Sequence, residues 1–249
     1  MAGHSKWANI KHKKAAADSK RGKVFTKMAK LITVAAQQGG GDVDMNASLR
    51  TAVQKAKAAG VPNANIDRAI KKGTGNTGGE QMVEMTYEGY GHAGVAIMIK
   101  SLTDNNKRTY SSVRDIMNKN GGSLGGSGCV SYLFERKGII EVENISGDHD
   151  EFELKVIDAG AEDIQWNEDQ VRILTSPEGF EQVEKVLHSN DVQKAEISFV
   201  ASDEIEISDV ENSQKLLALI EKIEEDDDVD EVFTNASFSE EVLKQCGKL

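Results

Sequence analysis

A chain of 249 residues with 39% hydrophobic side chains, 29% charged side chains and two prolines is too apolar for general disorder and too long for one core, so two or three domains are expected. Its formal net charge of -11 hides an opposition. Residues 1–79 carry 15 Lys or Arg against 4 Asp, or +11, and residues 80–249 carry 15 against 37 acids, or -22.

The opening segment "MAGHSKWANIKHKKAAADSKRGK" holds seven Lys or Arg, two His and one Asp. Its Lys11–Lys20 stretch is Ala-rich and helix-competent but has almost no large apolar group to fix it to a core, so ordering on binding is expected. From Val24 to Ala36 the apolar residues Val24, Phe25, Met28, Leu31, Ile32, Ala35 and Ala36 recur at helical spacing, and Gly39-Gly40-Gly41 should stop the helix. Asn46 is placed to cap a second helix with the face Leu49, Ala52, Val53 and Ala56, stopped by Gly60. Pro62 then opens a third helix through Ile66, Ala69 and Ile70, with Lys71 and Lys72 at its C-terminus. "KKGTGNTGGE" reads as a linker.

Beyond the linker the period changes from 3.6 to 2. "MVEMTYEGYG" sets Val83, Met85 and Tyr87 against Glu84, Thr86 and Glu88, and turns at "GYGHAG" into "VAIMIK", which predicts a hairpin. A helix over about 107–118 leads through "NGGSLGGSG" into a strand "CVSYLFER", with Val130, Tyr132 and Phe134 on one face. Next come a strand "GIIEVEN", a helix over 149–159, strands near 163–166 and 171–175, a helix over 177–188 and a strand "KAEISFVA". "EIEIS", a helix over 211–224 and "VDEVFTN" close the order. This pattern predicts an α+β, multi-domain protein: an N-terminal helical bundle (1–79) and two ferredoxin-like (βαββαβ) domains, one at 138–202 inserted into the other at 80–137 plus 203–249.

Motifs with catalytic or metal chemistry are missing. Cys129 and Cys246 form no CxxC spacing and pair with no His, which excludes a disulfide framework or zinc site by spacing and fits a reducing compartment. The five His, at 4, 12, 92, 149 and 188, share no ligand spacing. "GGSLGGSG" lacks the GK[ST] ending of a phosphate loop and runs from helix to strand, so it reads as a flexible turn. "SLTDNNKRT" reads mainly as capping chemistry, with Lys107 and Arg108 as candidates for a secondary phosphate contact. "EEDDDVDE" reads as a solvated acidic surface. No enzyme, metal or cofactor is expected, and the aromatic pattern of an RNA-recognition sheet is not found.

The basic third is therefore the candidate contact surface for a polyanion, with docking onto the acidic body of the same molecule as the alternative. Trp7, among Lys6, Lys11 and His12, is suited either to stacking on a base or to pinning the leading segment. The residues expected to meet nucleic acid are Lys6, Trp7, Lys11, His12, Lys13, Lys14, Lys20, Arg21, Lys23 and Lys27, with Arg68, Lys71 and Lys72 as a second patch. Scarce aromatics and abundant lysines predict backbone-directed contact with weak sequence preference.

"MAGHSKWANIKHKKAAADSKRGKVFTK", "GGGD", "IDRAIKKGTG", "YEGYG", "TDNNKRT" and "NGGSLG", in this order along nearly the whole chain, resemble the YebC/PmpR family, which includes a mitochondrial translational activator. The resemblance implies a helical domain followed by two α+β domains and a non-enzymatic regulator. It implies either a DNA-binding transcriptional regulator or, alternatively, a ribosome-associated translation factor that grips ribosomal RNA through the same basic end, its acidic domains meeting a protein or transfer RNA. Departures from the family pattern are Cys129, Tyr132 and a C-terminal extension in which Ser237 and Glu240, at capping-box spacing, predict a short extra helix. No apolar run reaches the roughly 18–20 residues of a membrane span. With the family motif starting at Met1, a bacterial cytoplasmic protein without a presequence is expected.

Overall fold

In the computed structural model the described residues are 18–75, 82–145, 147–167, 170–188 and 190–245, with the backbone alone for 18–21 and 240. They form two compact units: residues 18–130 with Asp209–Thr234, and Ser131–Ser208 with residues 235–245. The chain thus leaves the first unit after Val130 and re-enters it at Asp209.

The first unit begins with three helices, α1 (Asp18–Gly39), α2 (Ala47–Ala58) and α3 (Asn63–Thr74). Helix α1 is longer than the apolar periodicity predicts and takes in the end of the Ala-rich segment, whose residues 11–17 lie outside the described ones. Ile32, Ala35 and Ala36 pack with Leu49, Ala52, Val53, Ala56, Ile66 and Ala69 in one core, which carries the expected faces of all three helices. Asn46 joins α1 to α2. Its Oδ1 accepts from Leu49 N at 3.0 Å while its Nδ2 donates to the Ala35 and Gly40 carbonyls, each at 2.8 Å, with Gly40 at φ +86°. Helices α1 and α3 cross closely at Gly73, where a Cβ would lie 2.5 Å from the Thr33 carbonyl oxygen.

The same unit continues with β1 (Val83–Tyr90), β2 (Ala96–Thr103), α4 (Asn106–Lys119), β3 (Ser123–Leu124), and, after the insertion, α7 (Val210–Glu224) and β9 (Val229–Thr234). The predicted hairpin pairs Val83 with Thr103 through Tyr90 with Ala96. The sheet order is β3-β1-β2-β9, antiparallel throughout. Helices α4 and α7 bury Val113, Met117, Leu216, Leu217 and Ile220. Two strand positions are filled differently from expectation, and β3 takes the edge place expected for "CVSYLFER". Strand β1 lies where the "EIEIS" strand would complete a ferredoxin-like order, because the hairpin offers β2 an adjacent partner at short loop length.

The second unit holds β4 (Phe134–Glu143), α5 (His149–Asp158), β5 (Ala161–Asn167), β6 (Gln170–Thr175), α6 (Phe180–Val186), β7 (Asp191–Ala201), β8 (Ile205–Ile207), β10 (Ala236–Phe238) and α8 (Glu240–Gln245). Its main sheet has the ferredoxin-like order β5-β6-β4-β7, with Ile140, Val142, Val171 and Ile173 against Phe152, Val156 and Val183 of the helices and Leu187 at the end of α6. Trp166 stacks on His149 at 4.2 Å and meets Phe152 edge-on. Strand β8 pairs in parallel with β10.

Three local expectations change. "CVSYLFER" is not a strand from its start: Ser131–Leu133 is a 3-10 turn, Tyr132 is 71% exposed, and β4 runs unbroken from Phe134 into "GIIEVE". The helix expected over 177–188 is shorter, beginning at Phe180. The C-terminal helix exists, but Ser237 lies in β10 and its cap is Ser239, whose Oγ accepts from Val242 N at 3.3 Å.

Candidate nucleic-acid interface

Lysines 23, 27 and 30 fall on one face of α1 at helical spacing. The last carbonyls of α7 have no partner within their own helix, and the C-terminal dipole favours cations there. The α1 lysines gather at this end: Lys27 Nζ donates to the last α7 carbonyl, Glu224 O, at 2.7 Å, Lys23 Nζ to the capping Glu225 O at 3.0 Å and Lys30 Nζ to Asp227 O, in the turn that follows, at 2.7 Å. Three lysines of the basic head are thus held by "EEDDDVDE", which is a docking site where a solvated surface was expected.

Asp228 is the centre of that site and only 8% exposed. Lys30 Nζ, Arg108 Nη2 (2.9 Å) and Thr109 Oγ1 (2.7 Å) all donate to its carboxylate. Burial alone would raise this carboxyl, but the Lys30, Arg108 and Thr109 donors outweigh it and hold it at about 2. Asp230 has weaker support, Lys100 lying 3.9 Å away, so burial pushes its carboxyl up. Arg108 also pairs with Asp104 at 2.8 Å. Of the two candidates in "SLTDNNKRT", Arg108 is therefore tied to carboxylates and Lys107 is exposed. The capping expectation holds, since Asn105 Oδ1 accepts from Arg108 N at 3.1 Å.

The second basic patch has a different setting. Arg68, Lys71 and Lys72 lie exposed along α3 and make no ion pair among the described residues. Arg68 and Lys72 rim a groove of about 360 Å³ between α1 and α3, lined also by Phe25, Ala29, Ala69 and Met82. Lys20 and Arg21 lie in the first turn of α1. Lys6, Trp7, Lys11, His12, Lys13 and Lys14 lie outside the described residues.

"GGSLGGSG" is a braced loop. The Glu88 carboxylate, 6% exposed, accepts from Gly128 N and Val130 N at 2.8 Å each, and Glu88 O accepts from Gly125 N at 2.8 Å. Tyr90 Oη donates to Cys129 O at 2.8 Å. Burial and the Glu88 charge push the Cys129 thiol up, away from thiolate chemistry. Sequence pattern places Glu88 on a polar face, so only a carboxylate opposite an N–H-rich glycine loop hinted at this bond. Among the described residues no three His, Cys, Asp or Glu side chains gather as metal ligands would, and no helix is long and apolar enough to cross a membrane.

Two family models match the chain in order: the TACO1/YebC protein N-terminal domain over residues 5–76, and the TACO1/YebC second and third domain over residues 82–236. A protein of Syntrophomonas wolfei named "probable transcriptional regulatory protein" is 46% identical over 98% of this chain and 99% of its own. A similarly named protein of Bacillus licheniformis is 53% identical over 94% and 99%. The crystal structure of a conserved hypothetical protein from Aquifex aeolicus, 46% identical, superposes with a TM-score of 0.81 over 94% of this chain and 97% of its own. With the three-helix core, the α+β units and the quoted motifs all in the matched order, the chain belongs to the TACO1/YebC family.

Proposed function

We propose that the protein is a non-enzymatic nucleic-acid-binding regulator of gene expression that acts on duplex DNA as a transcriptional regulator. The observation that carries this reading is the division of labour among its cations. Lys23, Lys27 and Lys30 hold α1 to the end of α7, whereas Arg68, Lys71 and Lys72 face solvent without an ion pair among the described residues. Unpaired cations clustered on one helix raise the local potential and release counterions when phosphates replace them. The names of the relatives support a regulatory role.

In this reading Arg68, Lys71 and Lys72 contact phosphates together with Lys6, Lys11, Lys13, Lys14, Lys20 and Arg21 of the leading segment. Contacts of this type fix register without reading base edges, so sequence preference is weak. The test is crosslinking in growing cells, with identification of the recovered nucleic acid and sedimentation of the protein in a ribosome gradient. Promoter-proximal DNA with free sedimentation is the expected result. Ribosomal RNA with co-sedimentation and no DNA overturns the transcriptional assignment in favour of a translation factor.

A further inference from the structure

Among the described residues of the acidic two thirds of the chain, one helix has the opposite sign. Helix α4 carries Lys107, Arg108, Arg114 and Lys119 against a single Asp115, or +3. Arg108 is paired with Asp104 and Asp228, and Lys119 with Asp115 at 2.7 Å. Lys107 and Arg114, seven residues apart and so on one helical face, are exposed and have no ion pair among the described residues. Between them on that face stands Tyr110, 42% exposed.

Tyr110 borders a groove of about 510 Å³ between α4 and the glycine loop, with Met85 and Leu124 as apolar lining and Lys107, Ser111 and Ser127 as polar lining. Its ring is tilted 57° to that of Tyr87 at 6.1 Å, and Tyr87 is fixed by a 2.7 Å bond from its hydroxyl to Asn106 Oδ1. The facing loop is held by the Glu88 carboxylate, the one acid among the described residues that line the groove, whose two oxygens are engaged by Gly128 N and Val130 N. The groove therefore combines a preset aromatic wall, an apolar floor, hydroxyls and the cation Lys107, with Arg114 farther along the same face of α4, outside the lining. A planar ring carried on a polyanion matches each of these features, since stacking satisfies the aromatic and apolar surfaces while phosphates take the cations. An apolar peptide would leave Lys107 and Arg114 without counter-charge.

We propose that the groove between α4 and the glycine loop is a second nucleic-acid contact, which seats one unstacked base of a single-stranded segment against Tyr110 while Lys107 and Arg114 take the neighbouring phosphates. This rests on the nucleic-acid reading above and adds a single-strand subsite to it. Glu88 acts as a positioning residue that sets the groove width through the loop.

The test is fluorescence anisotropy of the full chain with labelled oligouridylate and oligothymidylate strands of about twelve nucleotides and a labelled duplex, over a salt series. Tyr110→Ala is expected to weaken single-strand binding by about tenfold or more and Tyr110→Phe to leave it within about twofold, with duplex affinity unchanged in both. Lys107→Ala with Arg114→Ala should flatten the single-strand salt slope by about 1.4. Thermal melting of each variant reports whether the fold is retained. Single-strand affinity of a folded Tyr110→Ala chain within about twofold of wild type overturns the proposal, as does equal loss on duplex. The uridylate and thymidylate arms identify RNA or DNA as the preferred strand. An Arg68→Ala, Lys71→Ala, Lys72→Ala chain tested alongside separates the two readings: full duplex binding by that variant sinks the head as the duplex site and leaves the groove to stand on the Tyr110 result, and a wild-type chain that binds neither strand nor duplex overturns both.

Discussion

Asp228 concentrates the electrostatics of the first unit in one buried carboxylate. Removing its charge leaves Lys30 and Arg108 without a shared counter-ion, so Asp228→Asn is expected to cost about 2–3 kcal/mol at neutral pH, measured by urea unfolding. The sign of its pH dependence follows from the depressed carboxyl. With about 2 in the folded chain against an ordinary 3.8, the stabilisation is complete above pH 3.8 and lost as pH falls toward 2. The stability difference between wild type and Asp228→Asn should therefore be constant from neutrality down to about pH 4 and close below it. A constant difference down to pH 2 would place the source of stabilisation elsewhere. Asp230, whose carboxyl burial raises, has the opposite sign and blunts the acid loss in both chains. Glu88 is a second buried carboxylate, but its donors are the Gly128 and Val130 amides. Glu88→Gln puts an amide NH₂ where an acceptor is needed, and faster amide hydrogen exchange confined to residues 125–130 is the expected outcome.

At the scale of elements, local rules were enough wherever burial and capping agree. The four apolar residues read from α2 are the four it buries, and the Asn46 cap is observed with two further bonds that the sequence does not announce. Asn46→Ala removes all three interactions from a site 6% exposed, and a loss of about 2 kcal/mol in thermal or chemical unfolding is expected. Legibility failed where a residue's role depends on distant chain. Glu88 alternates like a surface residue and is buried because residues 125–130, some forty positions on, bring amides to it. "EEDDDVDE" looks solvated because its partners, Lys23, Lys27 and Lys30, lie about 200 positions earlier. "CVSYLFER" alternates correctly for a strand, yet Tyr132 points to solvent and pairing starts only at Phe134, where Ala201 becomes available across the ladder. Periodicity reports which face an element would bury, and says nothing of where its neighbours are.

For the whole molecule, the charge opposition between residues 1–79 and 80–249 now has two components with separable consequences. Part of the positive head is neutralised inside the first unit, by the end of α7 and by Asp228, and part remains open on α3. Only the open part should exchange counterions when a polyanion binds. If the nine cations assigned to phosphates above are all engaged, the logarithm of duplex affinity falls with the logarithm of salt at a slope of roughly -8. Replacing Arg68, Lys71 and Lys72 together by Ala should flatten that slope by about 2.7 while leaving the melting temperature near that of wild type, because these side chains hold nothing else among the described residues. Lys23→Ala and Lys30→Ala should do the reverse, lowering the melting temperature through the lost bonds to Glu225, Asp227 and Asp228 and leaving the slope near that of wild type. Paired measurement of slope and melting temperature thus sorts the head's cations into those that bind and those that hold. If Lys23→Ala flattened the slope as strongly per residue as Arg68→Ala as well as lowering the melting temperature, α1 would release its lysines on binding, and the contact between α1 and the end of α7 would be a latch that nucleic acid opens.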